Sequence, residues 1–351
     1  MARGWRRARP QDAVELLPMS DGGDGFGEVF SGLLRAKTQV VKTEDAAHRP
    51  CEARWWWEPK SKTAIIESAE IIGLAKMRGF HPLEMDTFGL GALVRAAQAK
   101  GTRRCLIGIG GSATNDGGFG VARALGWKFL DAEGQEIISW TRLHTLKRLI
   151  PPRRKRWFEE FIVAVDVQNP LLGAKGCTRI YGPQKGLTNF AEAEGNLRRL
   201  AKIAKEQLGR DCAAEQGAGA AGGLGFGLNC LLGARLEAGF DLFARKTGLR
   251  QRLRAVDLVI TGEGTIDEST LMGKGVGRIA GWCRELEVPC IGLAGAATAG
   301  SALRKQFAEV HEMAELTTIE KAKRRPAFWL ERLAARVGRG LQSSAIREKQ
   351  R

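Results

Sequence analysis

Residues 104–131 read RCLIGIGGSATNDGGFGVARALGWKFLD, and this stretch decides the fold. Cys105, Leu106, Ile107 and Ile109 form a short apolar run of the kind found in a buried strand. A turn of small and polar residues follows, from Gly110 through Ser112, Thr114, Asn115 and Asp116 to Gly118. Val121, Ala122, Ala124 and Leu125 then recur at helical spacing, with Gly126 at the C-cap position. Trp127–Leu130 reads as the next strand. Strand, glycine turn, helix and strand together set bare backbone N–H groups and a helix N-terminus where an anion can bind. The same Ser, Thr, Asn and Asp residues would equally serve as helix caps.

Other strand-to-turn junctions repeat the pattern. Phe161–Val167 is an apolar run that ends around Asp166, and the C-terminal ends of strands carry the sites of open α/β sheets. Val256–Thr261 leads into Gly262, Glu263, Gly264 and Asp267, then Gly273–Lys274–Gly275. Pro18–Gly25 carries Asp21 and Asp24 in a glycine frame before a helix over 25–34. It lacks the ligand alternation and terminal Glu of an EF-hand. Further strands are expected at 13–17, 39–42, 53–57, 63–67 and 289–294, and helices at 68–75, 88–100 and 197–208. Trp55–Trp57 cannot share one strand face, which favours packing over a base-stacking platform. Gly217–Gly227 contains G-x-G-x-x-G without a preceding strand, so close packing of small residues is the simpler reading there.

The chain has 351 residues, 44% of them apolar, which suits two domains. No run of about 18 apolar residues offers a membrane span, and no apolar segment follows the basic N-terminal residues as in a secretory signal. Seven cysteines, none spaced C-x-x-C, suit reduced thiols in a cytoplasm. Four scattered histidines give little material for a His-based metal site. The formal charge of +16 is dispersed. It suits a solvated surface or small anionic substrates better than nucleic acid. Clustered carboxylates, backbone amides and a lysine fit Mg²⁺-assisted phosphoryl transfer, where catalysis is chiefly positioning and charge neutralisation.

The order and spacing of PMSDGGDG (18–25), IGIGGSATNDGGFG (107–120), DVQNPLLG (166–173), YGPQKG (181–186), GAGAAGGLGFGL (217–228) and DLVITGEGTIDEST with GK (257–274) resemble the type-1 glycerate kinase family over roughly residues 4–315. The resemblance implies phosphorylation of glycerate by ATP with Mg²⁺, giving 2-phosphoglycerate. It implies an α/β fold of two domains around a cleft. A flavodoxin-like parallel sheet would be built from residues 1–43 and 270–351, with a mixed α/β domain, 44–269, inserted. Asp166, Asp116 and Lys274 are the implied catalytic residues, with Asp116 and Asp166 as metal ligands. Asp21, Gly22, Gly23, Asp24, Gly110, Gly111, Ser112, Asn115, Asn169, Lys185, Glu263 and Asp267 are the implied substrate or nucleotide contacts. Glycerate and ATP are the expected partners, without membrane or nucleic acid.

One departure stands out. The family opens with a strand and a PDSFKGS-like turn, whereas Met1 here falls in the helix after them. A start assigned too far downstream is the favoured expectation, ahead of a truncated, impaired protein. Two other functions compete. Gly108, Gly110 and Ala113 form G-x-G-x-x-A, with Asp131 at a ribose-binding distance, as in a dinucleotide-dependent oxidoreductase. Alternatively, the chain is a non-catalytic binder of anions or nucleic acid.

Overall fold

The computed structural model describes residues 1–154, 156–271, 275–298 and 305–341. The chain divides into two compact units, Ser20–Phe243 and Met1–Met19 with Ala244–Arg351. In chain order the larger unit contains β1 (Lys37–Glu44), β2 (Pro50–Glu58), β3 (Thr63–Glu67), β4 (Arg104–Gly108), β5 (Lys128–Leu130), β6 (Arg148–Ile150), β7 (Glu160–Val165) and β8 (Arg235–Ala238). Six of them make one sheet, ordered β1-β2-β3-β4-β7-β8. The β1–β2 and β2–β3 pairs are antiparallel. From β3 through β4 and β7 to β8 the pairing is parallel.

The burial of each strand explains its sequence. All of β3, and β4 and β7 beyond their first residues, are buried, as continuous apolar runs require in a sheet covered on both faces. β1 is an edge strand and leaves Val40 exposed. Trp55 and Trp56 are both buried. Neighbouring strand residues point to opposite faces. Trp55 joins the main core cluster. Trp56 lies so close to Gly27 of helix Phe26–Leu34 that a Cβ there would sit 2.0 Å from its ring. The tryptophans therefore pack the sheet.

The register aligns Glu67 of β3 and Ala164 of β7 with Gly108 of β4. The C-terminal ends of three parallel strands thus lie side by side, and the turns after them share one edge. Helix Ala69–Ile72 is shorter than the expected 68–75. After it, the chain turns to bond the central glycine turn: Ala113 N–H donates to Ile72 O (2.7 Å) and Leu74 N–H to Gly111 O (2.8 Å).

In the smaller unit, β9 (Val259–Ile266), β10 (Cys290–Ala297) and β11 (Glu309–Glu312) form a parallel sheet ordered β11-β10-β9. Trp5, Ile291, Leu293, Leu333 and Val337 are among its core residues. The expected strand at 13–17 is absent, and that segment is irregular. The joins between units lie at 19/20 and 243/244, earlier than the expected 43/44 and 269/270. Helix Phe26–Leu34 packs on the large sheet and β9 pairs with β10, which fixes each segment to its unit.

Trp127–Leu130 supplies β5, but β5 pairs antiparallel with β6 in a separate two-stranded sheet. Asp131 accepts N–H groups from Glu133 (3.1 Å) and Gln135 (2.8 Å) in the turn that follows. A dinucleotide fold needs that strand parallel beside β4 and that acid free for a ribose, so the oxidoreductase reading loses its geometry.

The glycines of 217–227 are packing residues. Gly117 N–H donates to Gly222 O (3.0 Å). Gly222 has φ +65°, and a Cβ on it would fall 2.0 Å from Thr114 O. Gly222→Ala should therefore lower stability by at least about 1–3 kcal/mol. Gly32→Ala, at a helical position with nothing within 4 Å, should stay within about 1 kcal/mol of wild type. Urea unfolding midpoints compare the two, and equal midpoints would refute the packing role.

Candidate active site

The acidic turn is held at both ends. Ser20 Oγ accepts Gly22 N–H and Asp21 Oδ1 accepts Gly23 N–H, both at 3.3 Å. Glu67, at the end of β3, accepts Gly25 N–H (2.9 Å) and Gly27 N–H (2.8 Å). A buried carboxylate thereby satisfies the open N–H groups at the start of helix Phe26–Leu34. It lies in β3 and serves a helix 40 residues earlier in the chain.

Gly110 N–H donates to Gly22 O (2.9 Å), fastening the acidic turn to the central one. A Cβ on Gly110 would lie 2.6 Å from Gly23 Cα and 2.9 Å from Asp166 Oδ2; on Gly111 it would lie 2.4 Å from Asp24 Oδ1. Two carboxylates from different turns thus rest against one pair of glycines. Asp166 retains solvent access, yet surrounding protein pushes its carboxyl above the usual range. The charges of Asp21 and Asp24 add to the effect, and Lys185 and a backbone N–H oppose it.

Lys185 ends the 3-10 turn Pro183–Lys185 and is buried. Its Nζ donates to Thr114 O at 2.6 Å. Burial lowers its pKa to about 8, against the opposing pull of Cys177, Asp116 and Asp166. Lys185, Asp166, Gly110, Gly111, Ser112 and Tyr181 are among the residues lining one pocket of about 90 Å³. Tyr181 Oη donates to Asn169 Oδ1 (2.6 Å), and Asn169 Nδ2 donates to Lys175 O (2.8 Å). Asn169 therefore reaches the pocket through Tyr181. Tyr181 is the chain's single tyrosine; it lies inside the YGPQKG motif, and its rarity was the available signal.

Asp116 requires a correction. It is fully buried. Its Oδ2 accepts Thr87 N–H (3.0 Å), Thr87 Oγ1–H (2.7 Å) and Gly120 N–H (2.9 Å), and its Oδ1 accepts Gly118 N–H (3.2 Å). Burial, then the charge of Asp86, raises its pKa to about 6. With its oxygens engaged in the core, its geometry is that of a positioning residue rather than of a base or metal ligand facing a substrate. It also fills the start of helix Phe119–Ala124, so that helix end is closed to an anion. Asn115 is equally buried and donates to Thr178 Oγ1 (3.1 Å).

Glu263 and Asp267 belong to the smaller unit, where Thr270 Oγ1 donates to Glu263 Oε1 (2.7 Å) and accepts Asp267 N–H (3.1 Å). Lys274 lies outside the described residues. Among the described residues, no group of three His, Cys, Asp or Glu side chains is arranged as a metal cage. Mg²⁺ does not need one: it commonly takes one or two carboxylates and completes its shell with phosphate oxygens and water. The carboxylates of Asp21 and Asp24, whose charges act on Asp166, offer hard oxygens of the kind Mg²⁺ takes.

Asp116→Asn puts an NH₂ group against N–H donors and should cost about 1–3 kcal/mol. Asp166→Asn removes a charge that burial disfavours and should leave stability unchanged or raised. Urea unfolding at pH 7 separates the two roles; equal losses would undo the assignment.

A sequence model described as the glycerate kinase family matches residues 1–342. A glycerate kinase from Halalkalibacterium halodurans is 38% identical over 302 residues, 84% of this chain and 79% of that protein. Glycerate 2-kinase from Escherichia coli K12 is 36% identical over 307 residues, 84% of this chain and 80% of that protein. A crystal structure assigned as glycerate kinase 2 from Salmonella typhimurium LT2 superposes with a TM-score of 0.80 at 31% identity, covering 99% of this chain and 93% of that one. On the matched residues and the shared fold, the chain belongs to the glycerate kinase family.

Proposed function

We propose that this chain transfers the γ-phosphoryl group of ATP to the 2-hydroxyl of glycerate, releasing ADP and 2-phosphoglycerate. The supporting observation is the meeting of Asp166, Lys185 and the Gly110–Ser112 turn in one pocket beside Asp21 and Asp24. The hydroxyl oxygen attacks the γ-phosphorus, the bond to the ADP oxygen breaks, and Asp166 takes the hydroxyl proton. Its raised carboxyl pKa makes it a better acceptor than an ordinary surface aspartate. Lys185 offers a fixed cation to the phosphoryl group or the glycerate carboxylate. Its anchor on Thr114 O restricts where that charge sits. Glycines at 110 and 111 let the substrates approach the backbone.

Asp21 and Asp24 would hold Mg²⁺, which when bound neutralises phosphate charge. Asp166, first expected as a metal ligand or base, is assigned the base. The domain pattern implied by the family, both chain ends in one domain with the middle inserted, is supported by the two compact units. No helix among the described residues is long and apolar enough to cross a membrane. All seven cysteines are free, which supports a reducing cytoplasmic setting.

Coupled ADP release with D-glycerate, ATP and Mg²⁺ is the direct test, and a folded protein without turnover would overturn the proposal. The ³¹P–¹H coupling of the product tells phosphate on the CH carbon from phosphate on the CH₂ carbon. Asp166→Asn should lower kcat by about 10² or more, and wild-type turnover would remove Asp166 as the base.

Lys185 gives a pH dependence. Its folded pKa of about 8 lies below its ordinary value of 10.5, so its charge is held below about 8 and lost above. kcat/KM for ATP should fall as pH rises through about 8, and Lys185→Met should be slow without that limb. The same shift means the unfolded chain holds more protons between about 8 and 10.5, so Lys185 adds stability as pH rises through that window. A flat profile from pH 7 to 9.5 would exclude the charged lysine from binding.

A further inference from the structure

A recess of about 560 Å³ lies on the larger unit and shares no lining residue with the Asp166 pocket. Its size is that of a small-molecule site. It lies between helix Phe190–Leu208 and the 3-10 turn Trp140–Thr145, and its lining includes His144, Asn196, Arg198, Arg199 and Lys202.

The cations here differ in how far they are compensated. Arg198 shares Glu194 with Arg179, at 2.9 and 3.0 Å. Lys202 has Glu206 at 3.8 Å. Glu192, the one lining acid, accepts Asn189 Nδ2 at 2.6 Å. Arg199 has no carboxylate within 4 Å among the described residues. Its Nε donates to Leu146 O (2.6 Å), which fixes the half-buried guanidinium while its outer N–H groups keep their donor capacity.

Asn196 supplies a second, independent observation. It is 1% exposed. Its Oδ1 accepts His144 N–H at 2.7 Å, which sets the orientation of the amide. Its Nδ2 is buried with no hydrogen-bond partner. Buried amide donors are normally satisfied. A buried amide donor without an acceptor, on a residue lining the recess that also holds Arg199, points to an anionic ligand there.

We propose that this recess is a second anion site, taking the phosphate group of a small organic phosphate monoester. Arg199 presents a planar edge suited to two phosphate oxygens. Lys202 and Arg198 add charge at the rim, Asn196 adds the neutral donor, and the volume leaves room for the organic part. Among the described residues, the recess is lined by His144 and residues within 192–202, so its binding is separable from turnover at Asp166.

Glycerol 2-phosphate is the probe, titrated by calorimetry at fixed ionic strength into wild type, Arg199→Gln, Lys202→Ala and Asp166→Asn. The expected result is saturable binding, weakened at least tenfold in Arg199→Gln and several-fold in Lys202→Ala, and retained in Asp166→Asn. Lys202 is 61% exposed in its side chain, so Lys202→Ala keeps the test alive should Arg199→Gln fold poorly. Unchanged affinity in both groove variants would overturn the proposal. So would loss of binding in Asp166→Asn, which would assign the probe to the active-site pocket. Absence of probe binding together with groove-dependent binding of a uridine oligonucleotide would overturn it in favour of RNA. None of these readings requires glycerate turnover, so a failed kinase assay and a failed groove are distinguishable.

Discussion

The Asp116 carboxylate accepts four hydrogen bonds inside the core, from Thr87, Gly118 and Gly120. A buried charge is expensive unless it is fully hydrogen-bonded. Burial and the charge of Asp86 raise its pKa to about 6, and the hydrogen bonds from Gly120 and Thr87 oppose that rise. The bonds join the start of helix Phe119–Ala124 to the segment before helix Leu90–Ala99, which closes one face of the central turn. The other face, Gly110–Ser112, is the one left to the pocket. Asp116, one of the two carboxylates the family resemblance implies as catalytic, shapes the site from behind.

The electrostatics of the pocket follow from what surrounds it. Asp21, Asp24 and Asp166 repel one another, and Lys185 is the cation that acts on Asp166. Burial works against both kinds of charge there, lowering the lysine and raising the aspartate. A substrate carrying phosphate would find three carboxylates and one weakened lysine, an arrangement that calls for an added cation. The chain's dispersed +16 attracts anions in general and does not relieve that local imbalance.

Much of this was legible in the residues. β3, β4 and β7 announced themselves as unbroken apolar runs because strands covered on both faces have no polar side to alternate with. Asp166 at a strand's end and Lys185 in its glycine turn were identifiable for the same topological reason. Asp116 reads alike in sequence whether it caps or catalyses, and only the buried Thr87 beside it shows its bonds turned into the core. The link from Glu67 to the start of helix Phe26–Leu34 left no local trace, because its partners are 40 and 42 residues away in sequence. β5 was legible as a strand but its pairing was not, since its partner β6 hides in a basic connection without a strand pattern. The recess at Arg199 gave no sequence signal, because Arg and Lys on a long amphipathic helix ordinarily mark a solvated face.

The Thr114 carbonyl connects two motifs that seem unrelated in sequence. Lys185 Nζ donates to it at 2.6 Å, and Gly222 lies so close that a Cβ would reach within 2.0 Å. Any side chain at 222 must push this carbonyl, and the lysine's anchor moves with it. Ala221, next to that glycine, has φ +54° and lines the same pocket as Lys185. A non-glycine residue in the left-handed region is strained, and here the strain sits beside the candidate chemistry. The glycine-rich stretch over 217–227 needs no ligand of its own to influence the reaction. Its small residues let the backbone close on the central turn, and that closure fixes the oxygen to which the lysine is tied.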